Sequence, residues 1–174
     1  MTKEFNSCAH LMHDDNMKKA LELHDDLLKQ GKNPLDFMLE LQKSLQIKLH
    51  NEKPEGNPNP DKLETCGEIA NWIRNQDQYI ADENIELLTA LGGMSNGSDA
   101  SAIWKPWKSK HVEAKNRKWE DLSDEDKLET LFELIDIWHF FMNKMLPFGL
   151  DAKTIFALYC LKNSENIDRQ ARGY

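Results

Sequence analysis

Two pairs of acidic residues, with the same three-residue spacing, are the part of the sequence best suited to chemistry. They are Glu83-Asn-Ile-Glu86 and Glu133-Leu-Ile-Asp136. On a helix, residues three apart lie on the same side, about 60° apart in projection. Apolar residues fall close to Glu83 on the same helical wheel, among them Trp72, Tyr79 and Leu87. Glu83 is therefore expected inside an apolar stripe rather than opposite it.

A cluster of carboxylates requires cations. A single Glu-x-x-Glu pair is usually a solvated acid pair neutralised by lysines, but two such pairs in apolar surroundings favour a metal site. Like charges 4 Å apart repel by about 4 kcal/mol at an effective dielectric constant near 20. Carboxylate oxygens are hard ligands that suit Mg²⁺ or Mn²⁺. A di-iron bundle would instead need two Glu-x-x-His pairs, and Asp136-x-x-His139 is the one near match.

Cationic and amide side chains form two further candidates in an otherwise acidic chain. Lysines Lys105 and Lys108 are framed by Trp104 and Trp107, and a polar tail covers residues 162–174. Side chains of this kind could hold phosphate oxygens; in the tail they are Lys162, Asn163, Asn166, Arg169, Gln170 and Arg172. The simpler interpretations are two tryptophans anchoring a loop on the core, and a frayed, soluble C-terminus.

Two glutamines give a weaker signal. Gln42 projects between Met38 and Leu45 on one side of a predicted helix, with Gln46 at its margin. A buried amide must be hydrogen-bonded, either within the protein or to a ligand. The pattern is equally consistent with a side chain that hydrogen-bonds the edge of a nucleobase and with an ordinary core amide.

The composition indicates an all-α protein. The 174 residues include 22 leucines but a single valine, Val112, whereas sheets are enriched in β-branched residues. The formal net charge is 22 − 30 = −8, which argues against a surface that coats nucleic acid or anionic lipid. No apolar run approaches the roughly 18 residues of a membrane span. The three cysteines, Cys8, Cys66 and Cys160, are too few and too dispersed for a disulfide framework, so a cytoplasmic location is expected.

Turn and capping residues predict about five main helices in one domain covering residues 1–174. Gly31 should end the first helix, and Asn33-Pro34 should begin the second. Asp61 is expected to cap a long third segment ending at Gly92-Gly93. Ser123 should start a fourth major helix that ends near Met145, with Leu131, Leu134, Ile135, Trp138, Phe141 and Met142 facing the core. Asp151 should cap a last helix that leads into the polar tail.

Taken in order, these motifs resemble the all-α nucleotide pyrophosphatases, the group of the dimeric dUTPases and MazG-like proteins. The Glu-x-x-Glu and Glu-x-x-Asp pairs match that group's shared signature. Longer stretches are similar to the dCTP/dUTP pyrophosphatases of T-even-type bacteriophages, and the similarity extends from about Cys8 to Tyr174. They include Leu45-Gln-Ile-Lys-Leu49, Tyr79-Ile-Ala-Asp-Glu83, Glu133-Leu-Ile-Asp-Ile-Trp-His-Phe140 and Lys162-Asn-x-x-Asn-x-x-Arg-Gln-x-x-Gly-Tyr174.

The resemblance implies hydrolysis of dCTP and dUTP at the α-phosphorus, releasing pyrophosphate. It assigns Mg²⁺ to Glu83, Glu86, Glu133 and Asp136, and the attacking water to Glu86. Gln42, Gln46 and His139 would form the pocket for base and sugar. The triphosphate would contact Lys105, Lys108, Lys162, Asn163, Asn166, Arg169 and Tyr174, with the tail ordering when nucleotide binds. Gln46 stands where dUTPases usually have asparagine, a departure that could broaden base specificity.

The resemblance also implies a homodimer in the cytoplasm of an infected bacterium, without direct binding to nucleic acid or membrane. Other phage nucleotide-synthesis enzymes are further candidate partners. Two alternatives remain open: a MazG-like enzyme with another base preference, and a non-catalytic helical protein that assembles with those enzymes.

Overall fold

The computed structural model describes residue 11, residues 15–92 and residues 107–173. Within these ranges the chain forms six α-helices and no strand, so the all-α prediction is confirmed. The helices are α1 (Asn16–Lys29), α2 (Pro34–Glu52), α3 (Cys66–Leu91), α4 (Ser109–Asn116), α5 (Asp124–Met145) and α6 (Ala152–Ala171). Short 3₁₀ turns precede α3 and flank α5. None of the described helices is long and apolar enough to cross a membrane.

The helix starts follow the predicted capping residues in most cases. The side chain of Asn33 accepts a 2.9 Å hydrogen bond from the Leu35 amide, with Pro34 in the first turn of α2. Ser123 caps α5 and Asp151 caps α6 in the same way. Gly31, with φ of +69°, follows α1 in the left-handed conformation that glycine adopts without steric cost.

The predicted cap at Asp61 is wrong. Asn59 accepts a hydrogen bond from the Asp61 amide and begins the 3₁₀ turn Pro60–Lys62. Helix α3 starts later, at a capping box in which Thr65 accepts from the Glu68 amide while Glu68 accepts from the Thr65 amide. A box of this kind satisfies two amides at once, which explains why it sets the boundary.

Helices α3 and α5 form the main packed pair, and they run antiparallel. Residues early in α3 contact residues late in α5, whereas Glu83, nearer the end of α3, meets Glu133, nearer the start of α5. The Trp72 indole donates to the Asn143 main-chain oxygen at 2.8 Å, Asp77 accepts from Lys144 at 2.6 Å, and the rings of Tyr79 and Phe140 lie 5.1 Å apart. This pair is the frame that positions the predicted acids.

The predicted core side of α5 is wrong. Leu131, Leu134, Ile135 and Phe141 are 41–53% exposed, whereas Met142 alone of the predicted apolar set is buried among the described residues. The buried face is mostly polar: Asp126, Glu129, Thr130, Glu133 and Asn143. Both sides of α5 carry large apolar residues, so periodicity could not identify the side that faces α3.

Helix α2 shows a similar difference. Met38 and Leu45 are 39% and 46% exposed, while Leu39 and Gln42 are its buried residues. The N-terminus of α2 is tied to that of α6, because Asp36 accepts a 2.7 Å hydrogen bond from the Ala152 amide.

The predicted boundary between the last helix and a polar tail is also wrong, since α6 continues through Lys162 to Ala171. Its sequence contains no helix breaker before Gly173.

Candidate active site

Three acidic side chains meet between α3 and α5. Glu83 comes from α3, and Glu133 and Asp136 come from α5; one carboxylate oxygen of each lies within 4.8 Å of the others. Glu133 is 6% exposed, and the other two are half-buried. The structure thus brings together three of the four residues that the sequence assigned to a metal. Because each is held on a long helix, the carboxylates approach one another without support from a loop.

The electrostatics of Glu133 reflect this crowding. Burial, a hydrogen bond with Glu83 and the negative charges of Glu86, Glu83 and Asp136 together raise the pKa of Glu133 from 4.5 to about 8. Burial is the largest of these causes. The Glu133 carboxyl group is therefore mostly protonated at neutral pH when no cation is present.

Glu86 lies one helical turn beyond Glu83 and is half-buried. It is not among the three residues whose oxygens converge, but its charge contributes to the raised pKa of Glu133. Glu86 is thus close enough to influence the cluster electrostatically while standing outside its centre. A carboxylate at this position could orient or deprotonate a water molecule next to the three acids.

The donor set fits a hard divalent cation. Three carboxyl groups supply oxygen alone, and a cation among them would favour the charged form of Glu133 against the burial and the neighbouring charges that raise its pKa. Mg²⁺ is commonly bound through carboxylates together with substrate phosphates. The chemistry of the cluster therefore supports a magnesium site.

A cavity of about 240 Å³ lies further along the same helix pair. Its walls combine aromatic and amide side chains with a turn of the α2–α3 connection: Gln46, Leu49, Gly56, Asn57, Pro58, Trp72, Asn75, Gln76, Tyr79, Phe140 and Asn143. Flat aromatic surfaces with a few polar groups are typical of small-ligand sites. The cavity has the character of a pocket for a planar, hydrogen-bonding molecule.

The register of the helices fixes the separation between acids and cavity. Gln76 precedes Glu83 by seven residues, and Asn143 follows Asp136 by seven residues. At a rise of 1.5 Å per residue, two helical turns separate the two layers by about 10 Å. A ligand lying along the α3–α5 groove would reach both layers.

A buried amide pair lies at the cavity. The Nδ2 group of Asn143 donates a 2.9 Å hydrogen bond to Oε1 of Gln76. The two side chains are 1% and 3% exposed, and the Trp72 indole fixes the main chain of Asn143 from the other side. Among the described residues, Oδ1 of Asn143 has no hydrogen-bond partner.

The residues predicted for a base pocket are only partly collected there. Gln46 lines the cavity. Gln42 is buried at 6% exposure on α2 but does not line it. His139 is half-exposed, and its Nδ1 lies 3.3 Å from Oδ1 of Asp136, so it stands beside the acids.

The predicted phosphate contacts are not gathered at the acids in the described part of the chain. Lys105 and Tyr174 lie outside the described residues. Lys108 is exposed at the start of α4, and Lys162, Asn163 and Asn166 are exposed on α6. Arg169 is bound to Glu165 at 2.9 Å. Trp107 is 76% exposed, so the interpretation of this tryptophan as a core anchor is wrong.

Sequence reasoning missed the amides at the heart of the cavity. Gln76 and Asn143 received no role, although each lies seven residues from a predicted metal ligand. Residues at i, i+3, i+4 and i+7 share a helix face. That spacing, applied outward from Glu83 and Asp136, would have found Gln76, Tyr79, Phe140 and Asn143.

The described part of the chain is an all-α protein in which one antiparallel helix pair carries an acid cluster whose chemistry suits a divalent cation and, two turns away, a polar–aromatic cavity. Comparison with known proteins identifies the family. A dCTP pyrophosphatase of Enterobacteria phage LZ5 is 54% identical over 171 residues, and one of Enterobacteria phage T4 is 47% identical over 171 residues; each match covers 98% of both chains. The chain therefore belongs to the family of phage dCTP pyrophosphatases.

A longer relative shares the same region. A DNA replication protein of Enterobacteria phage T4 is 47% identical over 160 residues, which cover 91% of this chain and 40% of that protein. No protein-family model and no solved structure matches the chain.

Proposed function

We propose that this protein hydrolyses dCTP to dCMP and pyrophosphate. The observation that carries the proposal is the placement of the acid cluster and the cavity two helical turns apart on α3 and α5. A base in the cavity would direct its deoxyribose and phosphates along the groove toward Glu83, Glu133 and Asp136. The two full-length relatives named dCTP pyrophosphatase support this assignment.

The metal in this proposal is Mg²⁺, with Mn²⁺ as an ion of similar ligand preference. Glu83, Glu133 and Asp136 would hold it, with Glu86 beside them. When bound, the ion supplies positive charge that makes water more acidic and neutralises the leaving pyrophosphate. Glu133 must lose its proton to become a ligand, which its pKa of about 8 permits near neutral pH.

Glu86 is the proposed base. A water oxygen forms a bond to the α-phosphorus while the bond from that phosphorus to the α,β-bridging oxygen breaks, so pyrophosphate leaves. Glu86 orients the water and accepts its proton. Its half-buried position one turn beyond Glu83 supports this role.

The triphosphate requires cations from outside the acid cluster. We assign this role to Lys105, Lys108, Lys162, Asn163, Asn166, Arg169 and Tyr174. Lys162, Asn163 and Asn166 are exposed on α6 and are not gathered at the acid cluster in the described part of the chain. They would therefore reach the triphosphate through movement of α6 or from a second subunit. Arg169 would exchange Glu165 for a phosphate oxygen.

A second substrate, dUTP, belongs to the same proposal. Uracil and cytosine share ring size and the 2-position oxygen, so both fit a pocket of one shape. Removal of dCTP and dUTP would keep these nucleotides out of phage DNA, and dUMP would feed thymidylate synthesis. The site of action would be the cytoplasm of the infected bacterium, beside other phage nucleotide-synthesis enzymes.

The proposed assembly is a homodimer. Helix α5 exposes Leu131, Leu134 and Ile135 on one side, and α6 exposes Phe156, Tyr159 and Leu161 at 69–70%. Large exposed apolar side chains such as these are typical of protein interfaces. A second copy would cover the exposed side of α5, whereas Glu133 and Asp136 would still face α3.

The test is incubation of the purified protein with each dNTP and Mg²⁺, followed by chromatography of the products. We expect dCMP and pyrophosphate, with dUTP as the next substrate. Preference for a purine nucleotide would favour the MazG-like alternative. Orthophosphate as the product would contradict attack at the α-phosphorus, and the absence of any turnover would favour a non-catalytic assembly protein.

A further inference from the structure

One wall of the cavity belongs to the connection between α2 and α3 rather than to a helix. Gly56, Asn57 and Pro58 line the cavity there, whereas its other lining residues lie on α2, α3 and α5. A loop opens locally at a lower free-energy cost than a packed helix does. Whatever fixes this connection therefore decides how far the cavity is formed before a ligand enters it.

A tight turn returns the connection to the end of α2. The Asn57 amide donates a 3.3 Å hydrogen bond to the Pro54 main-chain oxygen, and Gly56 has a φ of +87°. A positive φ at the third residue of a four-residue turn is typical of a type II turn, where glycine is favoured. The turn is thus specified locally, but it does not by itself attach the connection to a helix.

Asn57 is attached to α2 at two points. Its main-chain oxygen lies 2.8 Å from Nδ1 of His50, and its Nδ2 donates to the Lys53 main-chain oxygen at 2.9 Å. A carbonyl oxygen can only accept, so Nδ1 of His50 carries the proton in this contact. His50 is half-buried in the last turn of α2, one turn after the cavity residue Gln46. A side chain of α2 therefore holds a main-chain group of the cavity wall.

The wall that His50 holds offers shape more than hydrogen bonds. Gly56 has no side chain, and Pro58 has no amide hydrogen. Cytosine and uracil have the same ring size and differ in the hydrogen-bonding groups on their edges. A wall of this composition is therefore expected to support both bases to the same extent.

We infer that His50 is a positioning residue for nucleotide binding. Its Nδ1–H holds the Asn57 carbonyl and so keeps residues 56–58 in place as the wall against which a pyrimidine ring packs. This inference rests on the proposed function. Without the hydrogen bond the connection spends part of its time away from the cavity, and the apparent affinity falls by the fraction of molecules in which the wall is in place. The acid cluster is untouched, so the chemical step keeps its rate.

The experiment compares the steady-state kinetics of two substitutions at His50. His50→Leu keeps a similar size but lacks the donor, so KM for dCTP and for dUTP should each rise by about three- to tenfold, the effect of one neutral hydrogen bond. The kcat values should stay within about twofold of the wild type, as expected for a change in binding alone. The control is His24→Leu, at an exposed histidine of α1, which should leave both constants unchanged.

His50→Asn is the rescuing variant. Its Nδ2 is bonded to Cγ, as Nδ1 is in histidine, so it can donate to the same carbonyl and should return KM to near the wild-type value. A lowered Tm with unchanged KM in folded His50→Leu would overturn the inference, because the contact would then serve stability alone. Equal KM increases in His50→Leu and His50→Asn would also overturn it.

A measurement on the wild-type protein remains decisive if His50→Leu fails to fold. Nitrogen-15 spectra of the neutral imidazole ring show which nitrogen carries the proton, and the His50 signals are those missing from His50→Asn. A proton on Nδ1 would support the contact with Asn57, and a proton on Nε2 would overturn it. Failure of the wild-type protein to hydrolyse dCTP and dUTP would instead remove the proposed function, and the inference with it.

Discussion

The indole Nε1–H of Trp72 donates a 2.8 Å hydrogen bond to the main-chain oxygen of Asn143, joining residues that are 71 positions apart. Both residues are buried. This contact fixes how far α3 and α5 slide along one another. It therefore helps to decide that Glu83 stands opposite Glu133 and Asp136 rather than one turn away.

Trp72→Phe should destabilise the protein and weaken nucleotide binding. Loss of one buried hydrogen bond costs about 1–3 kcal/mol of unfolding free energy. The free energy is measured by urea denaturation, and KM for dCTP by pyrophosphate release. Trp119→Phe, at a half-exposed tryptophan outside the α3–α5 pair, is the matched control. A variant as stable as the wild type would show that other contacts set the register.

Metal-free stability should fall as the pH rises from about 4.5 to about 8. The folded protein holds the Glu133 proton up to a pKa of about 8, whereas the unfolded chain releases it near 4.5, so the folded state binds the extra proton across this window. The measurement is Tm against pH in the presence of a chelator. Glu133→Gln, which stays neutral, should lose this dependence and match or exceed the wild-type Tm at pH 8.

Turnover by Glu133→Gln should nevertheless be abolished, because an amide cannot replace an anionic metal ligand. Glu125→Gln, at an exposed acid on the same helix, should keep both the pH dependence and the activity. A clear loss of Tm in metal-free Glu133→Gln would show that Glu133 has a structural role instead.

Mg²⁺ binding should release a proton near pH 7. The ion requires the Glu133 carboxylate, so calorimetry in buffers of different ionisation enthalpy should show proton release by the wild type and none by Glu133→Gln. Heats that do not vary with the buffer would contradict the assignment of Glu133 as a ligand.

Glu83→Gln and Asp136→Asn should each lower kcat/KM for dCTP strongly. Loss of a residue that merely orients a ligand costs roughly 10–100-fold in metal affinity or activity, so loss of a ligand should exceed about 100-fold. The control is Asp82→Asn, an exposed acid adjacent to Glu83 on α3. Equal activity of Glu83→Gln and Asp82→Asn would refute the metal centre.

Lys162→Ala should raise KM for dCTP by about tenfold or more, because a charge-assisted hydrogen bond to phosphate would be lost. Its free energy of unfolding should stay within about 0.5 kcal/mol of the wild-type value, since Lys162 is exposed. Lys153→Ala, in the first turn of the same helix, should leave both quantities unchanged. An unaltered KM in Lys162→Ala would exclude this residue from the triphosphate site.

Ile135→Glu should convert the proposed dimer to a monomer. A carboxylate placed among Leu131 and Leu134 must be desolvated at the interface, which opposes association. Light scattering should give twice 20.2 kDa for the wild type and 20.2 kDa for the variant. Val112→Glu, on the exposed side of α4, should remain dimeric. A monomeric wild type at micromolar concentration would contradict the dimer proposal.

Much of the fold follows from local sequence. The excess of leucine over valine argues against a sheet-based fold. Asn33, Ser123 and Asp151 mark helix starts because their side chains accept amide hydrogen bonds. The facing side of α5 could not be deduced in this way. Glu133 is buried and hydrogen-bonded with Glu83. An acidic residue thus occupies a buried position where a helix pair usually has an apolar residue.

The acids of the site were accessible to sequence reasoning because paired acids in apolar surroundings are unusual. The amide pair could not be deduced from the sequence, because glutamine and asparagine are common residue types. The contact between Gln76 and Asn143 depends on the packing of α3 against α5. The exposure of Trp107 likewise depends on packing that spacing does not report.

The seven-residue offset repeated on α3 and α5 places the proposed base pocket two helical turns from the proposed site of hydrolysis. A helix of fixed pitch keeps the two layers at a constant distance, so the amides at one level can be exchanged without moving the carboxylates at the other. In the proposed function, substitution at the amide layer would therefore change the nucleobase preference while the bond-breaking residues stay in place.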